Sequence, residues 1–468
     1  MATERESDSL VRGLGLISSA CIVVGGIIGT GVFLKARVMT CNVGSPAMVM
    51  LAWVAAGLLA LAGALTYAEL ATMMPKAGGE YVFMREAYGR RLAVLYGWTQ
   101  VSITYTASQA AKAIAFAIFL NVLTGGALDT TFFTLNLLGH DVVFGGLQAV
   151  ALTAIAAIAL VNCAAVSIGG AFSIVLTAIK LAMIVGIGIG AFVFARGDWT
   201  HFALSSSGAA GVCEGVSASA RGGLAGFGAA MLGALWAYDG WSNMSQFAGE
   251  IKNPQRNIPL GLIGGMLVVM ALYLLVNAAY FYVLSPTEVA NIPLSSSVAT
   301  EVARRFVGAL AVSLIAAAMM TSTLGSLHSG VLAGARIPYA MARDGLFSRR
   351  LGEASRSTHV PANAVIAMAV WASILALWGS FDALTDAVIF AAYLFYVLVT
   401  ATVYIFRRRM PDAERPYRTW GYPVVPAIFL FVSGTLLVST LLTTPRQSLT
   451  GLGVIALGLP VYWYWSRR

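Results

Sequence analysis

The stretch Gly25-Gly26-Ile27-Ile28-Gly29-Thr30-Gly31 puts four glycines in the middle of an apolar run covering about residues 14–37. A run of that length reads as one membrane-crossing helix, because a bilayer core takes about 20 apolar residues. Glycines at its centre lower helix propensity and admit backbone geometries that other residues resist. An unwound turn at that depth frees N–H and C=O groups, which is tolerated only around a cavity or a ligand. Close helix packing through small residues would also use glycines, so this stretch alone does not decide. A second apolar run, 223–248, carries Trp236-Ala237-Tyr238-Asp239-Gly240-Trp241 at a matching depth. The pair of interruptions favours two broken helices facing each other.

The rest of the chain has the composition of an all-α polytopic membrane protein. Of its 468 residues 59% are hydrophobic and only 10% charged, whereas a soluble domain is about 25% charged. Windows 38–68, 142–179, 257–287, 360–381 and 419–445 contain no Asp, Glu, Lys or Arg, and each can hold at least one span. Twelve transmembrane helices are expected, over about 14–37, 46–73, 92–121, 143–163, 168–195, 223–248, 258–284, 308–340, 360–379, 381–406, 420–442 and 447–466. An even count puts both termini on one side, which then collects 20 of the 29 Lys and Arg residues, against seven on the other; Lys112 and Lys180 lie within spans. The richer side should be cytoplasmic. The formal charge of +9 thus reads as membrane orientation, and nucleic acid is not expected as a partner. Residues 1–13 form a polar cytoplasmic N-terminus, followed by a first span without a small-residue cleavage site.

A shift of roughly 209 residues carries helix two onto seven, three onto eight, four onto nine and five onto ten. Five is odd, so the halves have opposite orientations. The expected organisation is a first inverted repeat over 14–195, an extracellular loop over 196–222 and a second repeat over 223–406. A basic cytoplasmic loop, 407–419, and the last two helices with the C-terminus, 420–468, complete it. Inverted repeats with discontinuous helices are a feature of secondary transporters, whose site lies near the midplane. Free amides at Thr30, Gly31 and Val32 open the outer half-helix, whose positive dipole end suits a carboxylate. Carbonyls of Ile27, Ile28, Trp236 and Tyr238 can accept from an ammonium group. The breaks therefore suit a small zwitterion, with Ile27, Ile28, Gly29, Thr30, Gly31 and Val32 facing Trp236, Ala237, Tyr238, Asp239, Gly240 and Trp241.

Three groups of motifs carry a resemblance: Gly25 to Phe33; Tyr67-Ala68-Glu69-Leu70 with Pro75-Lys76-Ala77-Gly78-Gly79-Glu80-Tyr81; and Trp236 to Trp241 followed by Gly249-Glu250-Ile251-Lys252-Asn253-Pro254 through Pro259. In order and spacing the chain resembles the amino acid–polyamine–organocation superfamily, specifically its L-type amino acid transporter branch. The resemblance implies a five-plus-five fold of the leucine-transporter type with helices 1 and 6 broken. It also implies secondary transport of L-amino acids by alternating access, through exchange or proton-coupled uptake, with Ile27–Val32 and Trp236–Trp241 holding the substrate backbone. An amino-acid-sensing receptor or scaffold on the same fold is the alternative. A plasma-membrane location follows, the inner membrane in a bacterium.

Lys180 falls about twelve residues into the fifth span, near the midplane by the helical rise, where an ammonium is expensive without partners or a purpose. The resemblance places it where sodium-coupled relatives of the fold hold a cation. There it is expected to donate to carbonyls near Gly25 and Gly26 and to Ser322 or Ser326. If burial strips its charge it can carry a coupled proton; otherwise it is a fixed cation. Asp239 either caps the helix that resumes after the break or lies beside the substrate side chain, where it would admit cationic amino acids. By resemblance Trp236 is an aromatic gate over the substrate. Lys112 is expected to snorkel toward the outer interface without a role, and His328 to be a hydrogen-bonded core residue. Arg12, Glu69, Glu80, Glu250, Arg336 and Arg343 sit at cytoplasmic helix ends, where they can form an inner gate. Cys21, Cys41, Cys163 and Cys213 are too scattered for a disulfide framework or a metal site; only Cys41 and Cys213 share a side, and a bond between them is not expected. No His, Cys, Asp or Glu cluster has the spacing of an enzyme centre, so neither an enzyme nor a metal or other cofactor is expected. Relatives that bond an ancillary subunit use a cysteine after the third helix; 121–141 has none, so no disulfide-linked partner is expected. The amino-acid substrate and the lipid bilayer are the expected partners.

Overall fold

The computed structural model describes residues 10–137, 140–164, 166–206, 213, 216–293, 296–378, 381–443 and 445–467. Most of the polar N-terminus with Arg5, part of the loop 196–222 and Arg468 lie outside them. The helices are α1 (Leu16–Ile27), α2 (Gly31–Val43), α3 (Pro46–Met73), α4 (Gly79–Tyr88), α5 (Arg90–Thr99), α6 (Tyr105–Leu123), α7 (Gly146–Cys163), α8 (Val166–Phe194), α9 (Gly223–Tyr238), α10 (Asn243–Gln246), α11 (Pro254–Val283), α12 (Pro286–Ala290), α13 (Val298–Val307), α14 (Ala311–Gly334), α15 (Arg336–Arg343), α16 (Ala362–Trp378), α17 (Phe381–Arg409), α18 (Val424–Thr443), α19 (Pro445–Ala456) and α20 (Gly458–Ser466). Eight helical stretches among the described residues are long and apolar enough to cross a membrane, with α16 a shorter apolar helix. The chain is a multi-pass, mostly helical membrane protein.

The first expected span is two helices. Ile28 leaves α1 in an extended conformation (φ −69°, ψ 96°), and α2 begins three residues later at Gly31. The sixth is also broken: Asp239 is extended (φ −62°, ψ 150°) and Gly240 has φ +106°, a region only glycine enters readily. Helix resumes at Asn243, later than Gly240 or Trp241, and only as the single turn α10. α5 passes into α6 through a π-helical turn, Gln100–Thr104. The expected last span is divided into α19 and α20 at Leu457.

Around these breaks α9 packs on α2 and α3, α11 on α1 and α3, α8 on α1 and α11, and α14 on α6 and α8. Polar groups tie the inner faces together. Thr177 donates to the Cys21 carbonyl at 2.9 Å, and Tyr273 to the Ala237 carbonyl at 3.0 Å. His328 is the expected satisfied core histidine, with Asn162 on Nδ1 and the Gly169 carbonyl on Nε2, both at 2.9 Å.

Two features differ from the sequence reading. The segment between α6 and α7 forms an antiparallel hairpin, β1 (Thr131–Leu137) with β2 (His140–Gly145), so the chain is not purely helical. Cys41 and Cys213 form a disulfide, with Cα atoms 5.6 Å apart. The loop that follows α8 folds back over the end of α2: Ser206 N–H donates to the Gly44 carbonyl, Gly222 N–H to the Asn42 carbonyl and the Asn42 side chain to the Ala220 carbonyl, each at 2.7 Å. That return brings together cysteines 172 positions apart.

Candidate functional site: a cavity at two broken helices

The two breaks face one cavity, the concave kind of place in which small molecules bind. Gly26, Ile27, Gly29, Thr30 and Gly31 line it from the first break, and Trp236, Ala237, Asp239 and Gly240 from the second. Ile28, Val32, Tyr238 and Trp241 are buried but not in its wall. Tyr238 packs against Trp53 and Tyr273, and Trp241 against Tyr67 and Tyr396. The first hydrogen bonds of α2 run from Phe33 and Leu34 to the Thr30 carbonyl, so the amides of Thr30, Gly31 and Val32 precede the helical ladder. The breaks touch where glycine permits it. A Cβ on Gly31 would lie 2.5 Å from the Ala237 Cβ, and one on Gly240 2.9 Å from the Gly26 carbonyl oxygen.

Lys180 fastens the first break from behind. Its side chain is 2% exposed, and Nζ donates to the Gly25 and Ile28 carbonyls, each at 2.7 Å. Ser322 Oγ reaches the Ile28 and Gly29 carbonyls, each at 3.0 Å. Two expected contacts are replaced: the second carbonyl is that of Ile28 rather than Gly26, and Ser326 donates back to Ser322 and Thr323 of its own helix. Because Ile28 already accepts from Lys180 and Ser322, its carbonyl is not free for a substrate ammonium.

Sequence reading missed Tyr105 and Tyr396 in the wall and misplaced Lys112. Lys112 lines the cavity instead of pointing to an interface. Asp239 accepts from Tyr396 Oη at 2.8 Å, and Tyr396 also contacts Ser242 Oγ at 3.2 Å. Tyr105 Oη donates to the Asn243 side-chain Oδ1 at 2.8 Å. Trp236 lines the mouth under the Lys35 ammonium, which is 4.9 Å from the ring centroid. At the base, Glu80 is 2% exposed and accepts from Tyr96 Oη at 2.7 Å.

Beneath the cavity the base is closed by backbone and charge. Leu14 N–H donates to the Glu250 carbonyl and Lys252 N–H to the Leu14 carbonyl, at 3.0 and 2.8 Å; Gly78 N–H donates to the Gln246 carbonyl at 2.9 Å. Arg336 makes two bonds to Glu250, at 2.7 and 2.8 Å, with both side chains 0% exposed. The other expected gate residues are placed elsewhere. Glu69 binds Arg407 at 2.9 and 2.7 Å and the Thr419 amide at 2.6 Å, tying the basic loop to α3. Arg12 and Arg343 are exposed and form no ion pair among the described residues; each sits at a helix end or terminus where water solvates it.

Residues 14–463 match the amino acid permease family. This chain belongs to that family. The permease is 31% identical over 465 residues to the serine/threonine exchanger of Bacillus subtilis (strain 168), covering 99% of each chain. It is 31% identical over 446 residues to the human b(0,+)-type amino acid transporter 1, covering 94% of this chain and 85% of that protein. It is 29% identical over 470 residues to the human cystine/glutamate transporter, covering 99% of this chain and 88% of that one. These relatives are transporters or exchangers, and the receptor reading finds no counterpart among them.

Proposed function

We propose that this permease moves L-amino acids across the plasma membrane by alternating access, reading the α-carbon head group at the two breaks. The carboxylate sits on the amides of Thr30 and Gly31, which line the cavity at the positive end of α2; Val32, outside the wall, does not reach it. The ammonium donates to the Ile27 and Trp236 carbonyls; each has at most one close protein donor, and a carbonyl oxygen accepts two. The observation that carries this reading is the pair of breaks lining one cavity. Lys180 holds the first break in shape as a structural or coupling cation. Both termini are cytoplasmic, because the basic loops gather at that end, and the closed base is the inner gate. With Cys41 and Cys213 bonded to each other, the permease works without a disulfide-linked subunit and without an enzymatic step.

Binding is tested by competition against a labelled amino-acid mixture. Amino acids should displace the label, whereas amines lacking the carboxylate and acids lacking the ammonium should not. Equal displacement by either truncated compound would mean that the breaks do not read the head group.

A further inference from the structure

At the base of the cavity, the described residues hold one carboxylate that no ion pair accounts for. Glu80 projects from α4, whose start is wedged against the sixth-span break: a Cβ on Gly79 would lie 2.2 Å from the Ser245 carbonyl oxygen. Glu80 lines the cavity and accepts from Tyr96, while its other oxygen, Oε1, is buried without a hydrogen bond. Gln246 in turn donates to Tyr96 Oη at 2.9 Å. Ser242 lies between Glu80 and Tyr396, which donates to Asp239. The two carboxylates, at the head-group level and at the base, are thus ends of one hydroxyl-lined path.

We propose that Glu80 is the proton-binding group of this permease, loading a proton from the cavity as an amino acid is enclosed and releasing it when the base opens. The inference rests on the transport reading above. The step is simple protonation of a carboxylate to a carboxylic acid, with the proton supplied by water.

The surroundings of Glu80 favour this chemistry. Burial pushes its carboxyl up to about 7; the Tyr96 and Ser242 hydroxyls oppose the rise, and the charge of Asp239 adds to it. The other groups facing it are Tyr67 from α3, Tyr105 from α6 and Tyr396 from α17, none of them a cation. The nearby cations are engaged elsewhere: Arg336 with Glu250, and Arg85, on the far side of α4, with Asp344. Lys112 lines the same cavity as the two carboxylates, Glu80 and Asp239, and as an ammonium it balances one of them in the count of charge. A proton on Glu80 offsets the other, leaving the wall neutral around a zwitterion. Enclosing the substrate removes water from Glu80 and favours its neutral form further, so substrate and proton bind cooperatively. Opening the base wets Glu80 and reverses this.

The sign follows. Glu80 binds its proton below about pH 7, so the apparent KM for a neutral amino acid should rise as pH increases through 7, approaching about tenfold per unit. The test uses full-length permease in proteoliposomes loaded with a pH-sensitive dye. Labelled amino-acid exchange is followed between about pH 6 and 8, together with uptake into empty vesicles under an inward proton gradient. The wild type should acidify the lumen as it takes up amino acid, and Glu80→Gln should exchange with a KM that no longer changes with pH and move no protons. Should Glu80→Gln be inactive, Tyr96→Phe decides. Removing a donor to the ionised form should move the KM midpoint to higher pH by about one to two units, from the roughly 1.5–3 kcal/mol of such a bond. Wild-type uptake into empty vesicles without acidification of the lumen, a pH profile of Glu80→Gln equal to wild type, or an unmoved midpoint in Tyr96→Phe would overturn the assignment of Glu80 and leave amino-acid transport standing. Absence of any amino-acid exchange by the wild type would remove the transport reading and this inference with it.

Discussion

Replacing Arg336 with methionine should open the base of the cavity. The guanidinium makes two bonds to Glu250, at 2.7 and 2.8 Å, and a third to the Leu332 carbonyl at 2.6 Å, with the ion pair fully buried. Removing one partner of a buried pair costs about 3–5 kcal/mol, because the remaining charge has neither partner nor water. Opening lets water reach Glu250, so most of that cost falls on the closed arrangement. At about 1.4 kcal/mol per factor of ten, the balance should move by roughly a hundredfold or more toward open. The reporter is a cysteine in place of Leu14, which is 1% exposed and clasped by Glu250 and Lys252. Its labelling by a membrane-impermeant thiol reagent, applied to the face carrying the basic loops, should quicken by about that factor in Arg336→Met. The double variant Glu250→Gln, Arg336→Met should recover much of the protection, since no unpaired charge is left. Equal labelling of the Leu14 reporter with and without Arg336, in protein that elutes as a folded species, would show that the pair does not hold the base closed.

Other outcomes follow from the same geometry. Lys180→Ala leaves the Gly25 carbonyl without its ammonium partner and Ile28 with Ser322 alone, so substrate affinity should fall about tenfold or more; unchanged binding, rate and pH response would remove Lys180 from the site. Gly31→Val should abolish uptake by forcing α2 from α9, whereas Gly29→Val, whose Cβ meets only the Ile27 carbonyl at 3.9 Å, should fold normally and block transport by filling the cavity. Normal uptake by either, measured beside its thermal unfolding, would count against the breaks as the site. Asp239→Gly should selectively weaken competition by arginine and lysine; an equal loss for all amino acids would point instead to a structural role at the break.

The breaks were legible because their cause is local. Gly25, Gly26, Gly29 and Gly31 announce an unwound turn by their own backbone freedom, and a second interruption at matched depth supports it. Lys180 was legible too, since an ammonium deep in an apolar run demands partners, although the identity of one carbonyl was off by two residues. What escaped was set by tertiary packing. Tyr273, Tyr105 and Tyr396 look like ordinary span aromatics until folding brings their hydroxyls to the breaks. Lys112 lies well along the third span, and only the tilt and packing of α6 decide whether its ammonium reaches the cavity or an interface. The Cys41–Cys213 bond depends on a loop return that spacing does not reveal. The hairpin did leave a signal, because Thr131-Phe132-Phe133-Thr134-Leu135 and Val142-Val143-Phe144 are β-branched and aromatic runs of strand length. A search tuned to membrane helices passes over it.

In the proposed transport cycle, the cavity between the two breaks carries amino acids across the membrane. The most direct test of that cycle is uptake of labelled amino acids into proteoliposomes, either empty or preloaded with unlabelled amino acids, at equal and unequal pH. Uptake should be driven by internal amino acid or by an inward proton gradient, and be lost in Gly31→Val. A protein that binds amino acids with wild-type selectivity yet accumulates none under any of these conditions would contradict the cycle.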